Sequence, residues 1–161
     1  MAREYALSAG GITVQNSAVT LAFINPGAGQ SIEILRSWIS QSANATSAQQ
    51  RVQHVTQAAT FPVLTSTTPA KLKLSDPASV ITGGTSGAAG TSGTNSSDDK
   101  GGAKTVLIND AFNVLNGHLW VPTPPETYVL NAGAAQGFGV YFPVAAATLT
   151  NWTVGLTFRE L

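Results

Sequence analysis

Apolar and polar residues alternate along most of this chain, in short runs cut by Gly, Pro and Asn. The run to read first is Ser31 to Gln57, SIEILRSWISQSANATSAQQRVQHVTQ. Ile32 and Ile34 alternate with Glu33, and after a polar tip of Ser, Ala, Asn and Thr the return Arg51-Val52-Gln53-His54-Val55 alternates again. Alternation sends successive side chains to opposite faces of a strand. The pattern slips at Leu35-Arg36, which predicts a bulge. A helix competes, because Ile32, Leu35 and Ile39 are also spaced three and four apart. The β-branched residues and the preceding Pro26, Gly27 and Gly29 favour two strands paired as a hairpin.

The same reading runs through the rest. Ile12-Val14 and Val19-Leu21-Phe23 predict a hairpin turning at Gln15-Asn16-Ser17. Phe61-Leu64 and Lys71-Leu74 are short strand candidates, pushed to edges by Pro62 and Pro69. Val106-Leu107-Ile108 reads as a short buried strand. Asn116-Gly117 between apolar runs predicts a second hairpin, or one strand bulged at Gly117. Tyr128-Leu130, Phe138-Phe142 and Trp152-Phe158 follow, the last with one apolar and one polar face. No segment has helical periodicity with caps at both ends. The expected fold is all-β: one antiparallel, jelly-roll-like β-sandwich spanning 1–161. Residues 1–10 are read as an N-terminal arm. Residues 82–103, TGGTSGAAGTSGTNSSDDKGGA, hold seven glycines and no large apolar side chain. They are read as a long Gly/Ser-rich loop, either flexible or ordered by a partner.

Composition narrows the function. The chain has 161 residues, 10% charged residues and zero formal net charge. The basic excess of a nucleic-acid binder is missing. So little charge gives little repulsion in solution, which points to surface hidden in an assembly. There is no cysteine, so neither disulfides nor thiolate metal sites are expected. The opening MAREYALSAGG lacks a signal-peptide core, and no run of about 20 apolar residues predicts a membrane span.

Candidate chemistry is sparse. His54 and His118 are far apart, without the paired His and nearby carboxylate of a metal site. No GxSxG elbow occurs, although a Ser–His–Asp group can assemble from distant positions. Asp98-Asp99 reads as solvated loop charge. Trp152 reads as core, whereas Trp38 and Trp120 are either core or a platform for a sugar ring. Asn44-Ala45-Thr46 matches a glycosylation acceptor, read as coincidence without a secretory signal. No catalytic residue, cofactor or metal is assigned.

The blocks IEILRSWISQSANATSAQQRVQ, SDPASVITGGTSG, DAFNVLNGHLWVPTPPE and GFGVYFPV…WTVGLTFREL, over roughly Ile12 to Leu161, resemble small virion structural proteins of tailed bacteriophages. More narrowly, they are similar to jelly-roll capsid decoration (cement) proteins. The resemblance implies a non-enzymatic protein made in the host cytoplasm that binds the exterior of the assembled head. Its partners would be the major capsid protein and further copies of itself, a trimer rather than a dimer, with no nucleic acid and no membrane. On that reading the partner contacts fall on the N-terminal arm, at Ala2, Arg3, Glu4 and Tyr5. They continue at the polar tip, at Asn44 and Thr46, and in the Gly/Ser-rich loop, at Thr85, Ser86, Thr91, Asn95, Asp98, Asp99 and Lys100. The alternative is a receptor- or carbohydrate-binding module of a tail or fibre, using Trp38 or Trp120.

Overall fold

A computed structural model of the chain describes residues 2–43, 46–133 and 135–161. Among them the fold is all-β, two antiparallel sheets packed face to face. In chain order the longer strands are β1 (Arg3–Ile12), β2 (Val19–Asn25), β3 (Ile32–Gln41) and β4 (Gln49–Ala58). Short β5 (Val63–Ser66), β6 (Ala70–Lys71) and β7 (Thr82–Gly83) precede β8 (Thr91–Asp98) and β9 (Lys104–Asn113). The chain closes with β10 (His118–Trp120), β11 (Tyr128–Leu130), β12 (Gln136–Phe142) and β13 (Trp152–Glu160).

One sheet runs β10-β3-β13-β1-β6, with β11 also on β3, and the other runs β5-β8-β2-β12-β4-β9, with β7 on β8. The antiparallel neighbours β1–β13, β2–β12, β3–β10 and β4–β9 are the first strand with the last, the second with the next to last, and so inward. That nesting is the jelly roll, with β5 to β8 inserted between its fourth and fifth strands. The core lies between the sheets. Tyr5, Ile32, Ile34, Ile39, Trp152, Leu156 and Phe158 from one meet Val19, Leu21, Val52, Phe138, Val140 and Phe142 from the other, all fully buried.

Several local readings are corrected. The expected hairpins at 12–23, 31–57 and 112–121 do not pair, because β1, β3 and β10 lie in one sheet and β2, β4 and β9 in the other. The turns between them carry the chain across the sandwich. A crossing turn and a hairpin turn share the same residues, since both reverse the chain between amphipathic strands. The bulge is as expected: β13 passes from Thr157, opposite Arg36, to Phe158, opposite Ile34, leaving Leu35 as the extra residue. Ile108 sits on an outermost strand, with Val106 and Leu107 exposed rather than buried. Strand β6 stops at Lys71, leaving Leu72 to Leu74 outside it.

The N-terminal arm is a correction too. Arg3 to Ile12 forms β1 between β13 and β6, and Tyr5 is fully buried. So is the Gly/Ser-rich loop, because Thr91 to Asp98 is a strand between β2 and β5 with Ser92, Thr94 and Ser96 buried. It is ordered by hydroxyls and close approach in place of apolar bulk. Ser92 Oγ donates to the Thr67 carbonyl at 2.8 Å, the Thr94 and Thr67 hydroxyls are 2.9 Å apart, and Ser96 Oγ accepts from the Thr20 amide at 2.9 Å. A Cβ at Gly93 would stand 2.7 Å from that of Leu64, so β5 lies directly against the backbone of β8. On the same outer face the far end of the Phe23 ring lies against Gly137, where any Cβ would collide with it, and the ring meets Phe61 at 5.9 Å.

Candidate functional site

Strand β9 and the broken edge β10/β11 lie on the same side of the sandwich. Pro122-Thr123-Pro124-Pro125 splits that edge, since proline has no N–H for the ladder. Strand β10 then pairs with Ser37 to Ile39, and β11 with Ile32 to Ile34. The excursion brings Trp120 and Tyr128 face to face, centroids 5.0 Å apart and 7° from parallel. Beside the stack opens a cleft of about 500 Å³ whose lining includes Ile108, Val121, Pro122 and Glu126. Glu126 is held there by its own turn: its amide donates to the Thr123 carbonyl at 2.6 Å, and its Oε2 accepts from Thr123 Oγ1 at 2.8 Å.

Beneath the stack lies His54, 1% exposed, its ring 4.7 Å from Trp120 and 5.4 Å from Phe138. Its Nε2 is 2.9 Å from Ser37 Oγ. Burial first, then neighbouring His118, lowers its pKa to about 4, so the imidazole is neutral near pH 7. Asp110 contacts the other histidine, His118, at 3.3 Å, while Nδ1 of His54 has no hydrogen-bond partner. Serine, histidine and aspartate therefore do not line up as a relay, which needs both ring nitrogens of one histidine engaged. Ser37 is also fully buried. Among the described residues, no group of three or more His, Asp or Glu could hold a metal ion. The cleft lining carries a single carboxylate, Glu126.

The other tryptophans take opposite places. Trp152 is core, as expected. Trp38 is half-buried on the outer face of its sheet, lying against Gly155 where a Cβ would collide with the ring, with the Arg36 guanidinium 5.2 Å from its centre. Beside it, opposite Trp38 in the ladder, stands Leu119, 67% exposed.

The residues expected to contact a partner do not form one patch. Ala2, Arg3 and Glu4 lie where β1 begins and β13 ends, and Glu4 Oε1 accepts from Arg159 at 2.8 Å. Tyr5 points inward, its hydroxyl donating to the Pro77 carbonyl at 3.1 Å. Exposed Thr85 and Ser86 precede β8, and Thr91 opens it. Asn95 Nδ2 donates to the Thr13 carbonyl at 2.9 Å. Asp98 and Lys100 form an exposed pair at 2.9 Å beyond the far end of the strand. Asp99 is enclosed, with Oδ1 accepting from Thr20 Oγ1 at 2.6 Å and Oδ2 2.7 Å from Lys104 Nζ, which lies over the Tyr141 ring. Thr46 is exposed in the turn between β3 and β4, and Asn44 lies outside the described residues.

The missed feature is the apolar side itself. Val106, Leu107, Leu115, Leu119, Val121 and Val129 are exposed along β9, β10, β11 and their turns. Alternation marked these runs as strands but not as edges. The PTPP interruption was the available signal, because proline excludes an inner strand position. Compared with family models, curated proteins and solved structures, the chain matches none.

Proposed function

We propose that the chain is a structural virion protein that decorates the outer surface of an assembled phage head and stabilises it. The observation that carries this reading is the exposed apolar side at β9, β10 and β11, on a protein with 10% charged residues and no net charge. Apolar side chains left exposed in this number suit contact with another macromolecule, and an assembly is the setting in which they are buried. The sequence resemblance to cement proteins supplies the particular assembly. The partners are then the major capsid protein and other copies of the chain, a trimer rather than a dimer, on the capsid exterior after synthesis in the host cytoplasm. Each copy contributes modest affinity, and closed symmetry multiplies it. The reading assigns no catalysis, cofactor, nucleic acid or membrane. The test is co-sedimentation of purified protein with heads stripped of it, followed by cryo-electron microscopy of the reloaded particles. Saturable binding and regular density on the shell are expected; absence of both defeats the proposal.

A second reading is favoured by the Trp120–Tyr128 stack beside Glu126. An aromatic face next to a carboxylate suits a sugar ring and its hydroxyls, as in a tail or fibre module that binds carbohydrate. Glycan-array binding, abolished by Trp120→Ala in a variant that still folds, would support it. A blank array with the wild-type chain removes it.

A further inference from the structure

We infer that the chain associates head to tail, with the Leu74 tip of one copy seated in the Trp120–Tyr128 cleft of the next. Leu74 is 93% exposed, and Leu72, two residues before it, is about half exposed. The segment is held in place. The Leu72 amide donates to the Glu4 carbonyl at 3.1 Å, the Asp76 amide closes the turn on the Lys73 carbonyl at 3.0 Å, and the Tyr5 hydroxyl anchors Pro77. A fixed apolar projection loses little entropy when it docks.

Its counterpart lies across the same sheet. The tip follows β6, which closes one edge of the order β10-β3-β13-β1-β6, and the cleft lies at the other edge, on β10 and β11. The cleft, about 500 Å³, has room for a leucine side chain and is walled by Trp120, Val121, Pro122 and Ile108. Charge fits as well. Lys71 and Lys73 alternate with Leu72 and Leu74, giving the segment two cations against the one carboxylate of Asp76, and exposed Glu126 stands at the cleft. Projection and cleft at opposite edges make a heterologous contact, and such contacts build rings when the rotation closes. Self-association thus acquires a defined site, and the inference holds whether or not the ring binds a shell.

The experiment uses the purified full chain in analytical ultracentrifugation, with thermal melts run on every variant to establish folding. The wild type is expected at a multiple of 16.5 kDa. Leu74→Asp and the milder Leu74→Ser should each weaken association by about ten- to a hundredfold, the scale of losing one buried leucine. Glu126→Lys should weaken it also, and Lys73→Glu combined with Glu126→Lys should restore part of the loss. The decisive arm mixes Leu74→Asp, which keeps its cleft, with Val121→Asp/Glu126→Lys, which keeps its projection. One complementary pair of sites remains, so a 1:1 dimer forms from two monomeric variants. A monomeric wild type at every concentration, unchanged assembly of both Leu74 variants, or no dimer in the mixture overturns the inference. Because no heads are present, failure here is separable from failure of shell binding.

Discussion

Ser37 and His54 stand on facing sheets, and the Ser37 hydroxyl lies 2.9 Å from His54 Nε2 across the core. Each satisfies a polar group that would otherwise be costly to bury. The contact closes over a neutral imidazole, and this sets a pH dependence. Unfolded histidine takes up its proton near pH 6.5, whereas His54 in the fold does so only at about 4. Its contribution to stability is complete above pH 6.5 and is lost as pH falls from 6.5 to 4. The difference between the two states corresponds to about 3 kcal/mol. Urea midpoints measured between pH 7.5 and 4 should fall through that window, and His54→Gln should flatten this part of the slope. An equally steep slope in the variant would remove His54 as its source.

Trp38 and Gly155 form a second fixed pair. The indole occupies the space where any larger residue at 155 would put its Cβ. Gly155→Val should therefore destabilise the protein by about 1 to 3 kcal/mol through displacement of Trp38. Denaturant unfolding followed by tryptophan fluorescence would record both the loss and a shifted Trp38 signal. Unchanged stability and emission would contradict the packing.

Strand β8 predicts slow exchange where composition alone predicts fast exchange. Amides paired to β2, those facing Ala22 to Asn25, should be about as protected from deuterium as the amides of β2 itself. Rapid, uniform exchange over 91–98 would return this segment to a mobile loop.

Asp99 and Lys104 predict strong coupling. Each side chain is about nine-tenths enclosed, so Asp99→Ala leaves an ammonium without its counter-charge and should cost about 3 kcal/mol. Lys104→Met should lower that cost when added to Asp99→Ala. A double-mutant cycle by chemical denaturation measures the coupling, and strict additivity would count against it.

The alternating faces of β3, β4, β12 and β13, the bulge at Leu35 and the absence of helix among the described residues were all legible in the sequence. These are local consequences of side-chain period and backbone sterics. Sheet membership was not legible, because a turn such as Asn116-Gly117 reverses the chain equally well within a sheet or across a sandwich. Only the nesting of β1 with β13 and β2 with β12, contacts between distant ends of the chain, decided between them. Strand β8 was lost to sequence reading for a related reason. Its one glycine, Gly93, lets Leu64 approach, and its hydroxyls are satisfied by Thr67 and Thr20, partners far from it in the chain. The cleft is a tertiary product as well. Trp120 and Tyr128 were visible as aromatics, but their stacking required the proline excursion to fold back onto β3. By itself the sequence determined which residues alternate and therefore which could form strands. The tertiary structure alone decided which strands became edges, and so which apolar side chains remained exposed.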